Sequence, residues 1–264
     1  MRILIILAAT IYMISCHSDH ITSKEIRWID LSHSYDQQTP YWPTAEGFRM
    51  DTVFEGMTEG NYYYSAYSFQ SAEHGGTHID APKHFAEGKR AVDEIPLEQL
   101  IGEGIIIDVS ANAFEDIDYL ITKDDLTNWE AQNGTIPEDA IVLFKTGFGR
   151  FWPDKLKYMG TDQKGPSAVL LLRFPGLDPQ AAQWLVDNRN IKAVGIDTPS
   201  IDFGRSSDFK THRILMADNI PAFENLANLE LLPPVNFQVI ALPMKIKGGS
   251  GGPLRIIAGL PTHG

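Results

Sequence analysis

A single cysteine in 264 residues leaves this chain without an internal disulfide and removes every thiolate-rich zinc module from consideration. Runs of Lys or Arg are missing as well. With 22 basic residues against 34 acidic ones, and a formal charge of -12, nothing in the chain can track a phosphate backbone, so nucleic acid is excluded as a partner. No apolar stretch reaches the roughly 18 residues of a membrane-spanning helix. Internal repeats, low-complexity blocks and long Pro/Gly/Ser linkers are absent too, which favours one domain over several. What is present is 43% apolar content, in a chain long enough to bury a substantial core.

The first residues, MRILIILAATIYMISCHSDH, set Arg2 before an apolar run over residues 3–14. That run is too short to cross a bilayer and fits the h-region of an export signal. Residues 1–15 therefore read as a signal, 16–24 as a short polar linker and 25–264 as the folded domain. Cys16 follows the run directly in MISC, which resembles the lipobox of bacterial lipoproteins. The resemblance implies acylation of Cys16, membrane attachment through that lipid, and a periplasmic or membrane-anchored location.

Beyond the linker, short β-rich runs recur at residues 26–31, 62–69, 104–109, 140–145, 193–196, 237–242 and 254–258. Helical signals fall between them. Thr122, with Asp125 three residues on, starts a capped helix that Gly134 stops. Asp178 and Pro179 start a second, with Ala182, Leu185 and Val186 at helical spacing. A third covers residues 210–218 and carries His212. The alternation predicts an α/β fold, a mixed and partly barrel-like central sheet with surrounding helices in a single domain.

The stretch HGGTHIDAPKHF, residues 74–85, holds three of the eight histidines and one aspartate. Gly75, Gly76 and Pro82 make a helix costly there. An extended chain instead puts His74, Gly76, His78, Asp80, Pro82 and His84 on one face, with Gly76 leaving room for an ion between two imidazoles. Three ligands, His74, His78 and Asp80, would leave coordination positions open, as in a catalytic metal site. A lone His33 reads as a satisfied loop histidine, and His17, His20 and His263 as solvated terminal ones. The loop over residues 39–48, with two prolines and three aromatics, either walls an aromatic pocket or simply packs. Asp197, Ser200 and Asp202 follow a β run, where functional loops and plain turns both occur. KGGSGGP lacks the ending of a phosphate-binding loop; its glycines bring backbone close to the site or tighten the connection before the last strand.

HGGTHIDAPKHF resembles the signature of the cyclase-like metal-dependent hydrolases, the group that includes bacterial kynurenine formamidases and isatin hydrolases. The likeness extends from WIDLSHSY through VGIDTPSID to IALPMKIKGGSGGPLRIIAG. It implies His74, His78 and Asp80 as metal ligands and His84 as the catalytic acid/base. The second-zinc pattern of formamidases, a further His and Glu, matches THRILMADNIPAFEN at His212 and Glu224. GIDTPSID, ENLANLELLPP and MKIKGGSGGP are more similar to isatin hydrolases. That branch implies one Mn2+ rather than two Zn2+, with His212 and Glu224 lining the site or orienting water, and a homodimer. Zinc is the alternative metal, since it binds the same ligands more tightly.

The implied chemistry is hydrolysis of a carbon–nitrogen amide bond in a small aromatic substrate. His84, with an unperturbed pKa of about 6.5, takes a proton from water beside the ion and later returns it to the nitrogen. With a cyclic aryl amide such as isatin, the ring opens to isatinate. The alternatives are an arylformamidase acting on N-formylkynurenine, a non-haem iron oxygenase, and a non-catalytic metal-binding lipoprotein. An oxygenase usually draws its third ligand from far along the chain. Three ligands within seven residues, beside His84, favour hydrolysis.

Overall fold

Residues 25–262 are described by the structure, a computed structural model. The export signal, Cys16, His17, His20 and His263 lie outside the described residues. Twelve strands follow one another: β1 (Ile26–Asp30), β2 (Arg49–Met57), β3 (Tyr63–Gln70), β4 (His78–Asp80), β5 (Ile101–Asp108), β6 (Leu120–Ile121), β7 (Ala140–Lys145), β8 (Gly176–Leu177), β9 (Ile191–Ile196), β10 (Ala222–Glu224), β11 (Phe237–Pro243) and β12 (Gly251–Pro261). The main sheet runs β1-β12-β11-β5-β7-β9-β10-β4, and β4 pairs back onto β12. Seven strands thus close into a ring, with β1 attached outside it along β12. Pairs β5–β7, β7–β9 and β9–β10 are parallel, whereas β4, β11 and β12 pair antiparallel with their neighbours. The expected mixed, barrel-like sheet is what forms, and closure leaves few edges unpaired.

The parallel strands read as unbroken apolar runs because both of their faces are buried. Ile106, Ile141 and Leu143 point inward and meet Val239, Ile256 and Ala258 from β11 and β12. Their neighbours Ile105, Ile107, Val142 and Phe144 point outward, as strand periodicity requires. Helices α1 (Lys123–Asn133), α2 (Pro179–Asn188) and α3 (Lys210–Ala217) cover that outer face with Leu126, Trp129, Leu185 and Leu215. The three helices start where the sequence placed them. Thr122 and Asp125 form a reciprocal capping box at α1, and the Asp178 carboxylate accepts from Gln180 N at 2.6 Å at α2. Each such cap contributes about 1 kcal/mol. Gly134, at φ 92°, ends α1.

Strands β2 and β3 form a separate antiparallel ribbon outside the barrel. Residues 62–69 were legible as a strand, but RMDTVFEGM was not. Between residues 50 and 69 the ribbon exposes nine large apolar or aromatic side chains, Val53 at 67% and Met57 at 64% among them.

Candidate metal centre

Only three residues long, β4 is wedged between β10 and β12, and this placement builds the floor of the site. His78 lies opposite Glu224 and Asp80 opposite Ala222, so His78, Asp80 and Glu224 share one face. Ile79 and Phe223, on the other face, enter the core. Strand parity therefore holds for His78 and Asp80. It fails at both ends of the motif. Gly75 and Gly76, at φ 151° and 62°, turn the chain before β4, and Pro82–His84 is a 3-10 turn after it. His74 thus arrives from a loop and His84 from a turn, not from a common strand face. The glycines do not leave a hole for an ion either. A Cβ on Gly75 would overlap the Tyr41 ring, and one on Gly76 the Tyr35 ring. Tyr35 also donates its hydroxyl to the carbonyls of Gly75 and Thr77.

The far ligand candidates come in from the second half of the chain. Asp80 Oδ1 lies 2.6 Å from His74 Nδ1 and 3.1 Å from His78 Nε2, and Oδ2 lies 2.9 Å from His212 Nε2. Glu224 reaches His212 Nε2 at 3.1 Å and His78 Nε2 at 3.5 Å. Two overlapping sets result, His74/His78/Asp80 and Asp80/His212/Glu224, each with donor atoms within 4.8 Å of one another. Asp80 belongs to both. His78, Asp80, His212 and Glu224 are each no more than 3% exposed.

Proton placement supports a cation among them. His78 Nδ1 lies 2.9 Å from the Gly76 carbonyl, which can only accept, and farther, 3.4 Å, from the Asn225 amide nitrogen, which itself donates to that carbonyl at 2.8 Å. The shorter contact puts the proton on Nδ1 and turns the Nε2 lone pair toward the carboxylates. His212 Nδ1 faces Asp202 Oδ2 at 2.6 Å, which likewise turns its Nε2 lone pair toward Asp80 and Glu224. Lone pairs aimed at carboxylate oxygens repel unless a proton or a metal ion lies between. Without an ion, burial lowers the basicity of His212, but its hydrogen bonds to Asp202, Asp80 and Glu224 outweigh this and raise it well above the usual histidine range. Burial pushes Glu224 up, and the Asp80 charge adds to it. Asp80 is driven the other way: burial opposes its ionisation, but His74, His212 and His78 hold it well below the usual carboxylate range. No Lys or Arg is among the described residues lining the cavity above this floor. Buried carboxylates with facing imidazole nitrogens and no fixed cation fit a divalent metal.

The cavity encloses about 300 Å³, with walls that are largely apolar. Pro40, Tyr41 and Trp42, from the loop over residues 39–48, form one side, so that loop does wall a pocket. Phe85 and Phe209 form another. The His84 ring stacks on His74 at 3.8 Å and makes no side-chain hydrogen bond to any described residue. Burial lowers its pKa to about 4, against an opposing pull from Asp80. Of the three residues after β9, Ser200 lines the cavity, Asp202 orients His212, and Asp197 is a structural acceptor for Thr146 and Gly147. Phe209 and the role of Asp202 were not legible in the sequence. His33 departs from its expected state. It stacks flat on Trp152 at 4.1 Å, and its buried Nε2 finds no partner among the described residues. Burial lowers its pKa to about 4, so it stays neutral there.

The family model for cyclases, described as "Putative cyclase", matches residues 29–203. The chain belongs to the cyclase family. Over 257 residues it is 32% identical to an isatin hydrolase from Roseibium aggregatum, spanning 91% of this chain and 94% of that protein. A kynurenine formamidase from Salinibacter ruber is 31% identical over 229 residues, spanning 87% and 95% respectively. Among solved structures, isatin hydrolase A from Labrenzia aggregata bound to benzyl benzoate superposes with a TM-score of 0.81 at 32% identity, covering 90% of this chain and 94% of that one. As a member of the cyclase family, the chain is a metal-dependent hydrolase. Membership also removes the oxygenase and non-catalytic lipoprotein readings.

Proposed function

We propose that this cyclase-family enzyme opens a cyclic aryl amide of the isatin type, with His74, His78 and Asp80 holding a divalent ion and His84 carrying the proton. One observation carries the reading: imidazole lone pairs and buried carboxylates converge at the floor of an aromatic-walled cavity, beside an unpartnered His84. When bound, the ion supplies Lewis acidity, polarising the carbonyl and making water a better nucleophile. His84, neutral at pH 7, accepts the proton of the attacking water and delivers it to the lactam nitrogen as the carbon–nitrogen bond breaks. Tyr41, Trp42, Phe85 and Phe209 hold the aryl ring. Mn2+ is the favoured metal and Zn2+ the alternative. His212 and Glu224 orient water or, in the formamidase reading, hold a second ion with Asp80.

A side-by-side assay on isatin and N-formylkynurenine, with elemental analysis of the purified protein, tests this. Isatin turnover with one ion per chain is expected. Turnover of N-formylkynurenine alone, with two zinc ions, would move the enzyme to the formamidase branch. The apolar run after Arg2 supports an exported enzyme, and Cys16 a lipid-anchored one.

We further propose that the enzyme works as a homodimer joined through the β2–β3 ribbon. A two-stranded hairpin alone is marginal in water. Nine half-exposed large side chains offer roughly 1,000 Å² of surface, on the scale of the ~800 Å² per partner in stable interfaces. Both ends of the ribbon lead into cavity walls, where Tyr41 Oη meets Ser71 Oγ at 2.6 Å. Replacing Val53 and Met57 with Lys is expected to turn the sedimenting dimer into a monomer. A wild-type chain that sediments as a monomer at micromolar concentration would refute the assignment.

A further inference from the structure

The outer nitrogen of His212 faces the Asp202 carboxylate at 2.6 Å, and that of His78 faces the Gly76 carbonyl at 2.9 Å, closer than the Asn225 amide at 3.4 Å, so in both rings the nearest outer partner is an acceptor. The outer partner of His74 is different. Its Nε2 lies 2.8 Å from Ser250 Oγ, and a hydroxyl can donate as easily as accept. Ser250 therefore does not by itself decide which nitrogen of His74 points a lone pair at Asp80.

Glu73 decides it. Its Oε2 accepts from Ser250 N at 3.0 Å and lies 2.6 Å from Ser250 Oγ. A carboxylate offers no proton, so the single hydroxyl hydrogen of Ser250 goes to Glu73. Ser250 Oγ can then only accept, and His74 Nε2 must be the donor. The lone pair of Nδ1 is left facing Asp80 Oδ1 at 2.6 Å. We propose that Glu73 and Ser250 are positioning residues that fix the tautomer of His74 and present Nδ1 to the metal ion. Flanking glycines press Ser250 into this role. A Cβ on Gly249 would stand 2.8 Å from Glu73 Oε1, and one on Gly251 would overlap the Ile79 carbonyl oxygen and lie 2.6 Å from His74 Cε1. The KGGSGGP stretch is thus a close-fitting backing for His74, brought 176 residues along the chain to meet it.

This inference rests on His74 being a metal ligand, and the experiment separates the two. Metal-free full-length protein is titrated with Zn2+ and with Mn2+ against a chromophoric chelator, and the His74 ring nitrogens of the zinc-loaded protein are followed by 15N NMR. Ser250→Ala and Glu73→Ala are each expected to weaken ion binding by about 10- to 100-fold, the usual effect of losing an outer hydrogen-bond partner. The double variant should be no weaker than the worse single one, because both act through one relay. Glu73→Gln, whose amide oxygen still accepts from Ser250, should bind close to wild type. The wild-type spectrum should show the proton on Nε2 and the metal on Nδ1. Wild-type affinity in Ser250→Ala, additive losses in the double variant, or a proton on Nδ1 would each overturn the relay. A wild-type chain that binds neither ion would overturn the metal-site reading, and the relay with it.

Discussion

Asp80→Asn is expected to strip the enzyme of stoichiometric metal and to lower kcat/KM by about 10³- to 10⁴-fold, the scale of the several kcal/mol that Lewis-acid stabilisation supplies. Its two oxygens meet three imidazoles, those of His74, His78 and His212, and it is the one member common to both candidate ligand sets. Asn keeps the size and the backbone pairing of β4 with β10 and β12, so the barrel should persist. What it loses is one anionic oxygen pair in a place with no Lys or Arg to share the load. Thermal unfolding with and without added Zn2+ separates folding from binding. At a thousandfold excess over Kd, a bound ion adds about 4 kcal/mol to wild-type stability, a shift of roughly 8–16 °C for a domain of this size. Asp80→Asn should melt within a few degrees of the metal-free wild type and show no such shift. A variant that keeps the metal-dependent shift and full turnover would place the ion elsewhere.

Much of the barrel was legible because its strands are buried on both faces and read as apolar runs, as in IIID of β5 and AIVLF of β7. Helix starts were legible because caps are local chemistry, visible in Thr122 with Asp125 and in Asp178 with Pro179. Strand β2 was not, since a ribbon packed against no core of its own chain has no reason to alternate cleanly. Within the site, parity was right only across the three residues of β4. At His74 and His84 it was overruled by tertiary contacts: the rings of Tyr35 and Tyr41 require glycine turns just before β4, and Pro82 starts a tight turn just after it. His212 and Glu224 carry no local pattern that ties them to Asp80, and they were reached through family resemblance alone. The Glu73–Ser250 contact joins residues 177 apart, a separation that no periodicity reports. His33 failed for a related reason, because the ring that covers it, Trp152, lies far along the chain.

His84→Ala is expected to leave the metal bound and to lower kcat by about 10²- to 10⁴-fold, the range for removing a positioned acid/base. The geometry separates His84 from the ligands. Its ring contacts His74 face to face at 3.8 Å and His212 only edge-on at 6.2 Å, and neither ring nitrogen forms a hydrogen bond to any described residue. Held near pKa 4 by burial, it is the neutral base at pH 7 and can take a proton without prior loss of one. A rival account gives it only a packing role, as the plate that holds His74 in place between Phe85 and the cavity. His84→Phe tells the two apart, since it keeps a flat ring against His74 and Phe85 but cannot carry a proton. If His84 is the proton carrier, Ala and Phe lose kcat alike while elemental analysis finds the wild-type metal content in both. Recovery of turnover in His84→Phe would assign His84 to packing, and the proton would have to travel through a group on the other side of the site, where Glu224 accepts from Ile201 N at 2.7 Å and faces the same floor.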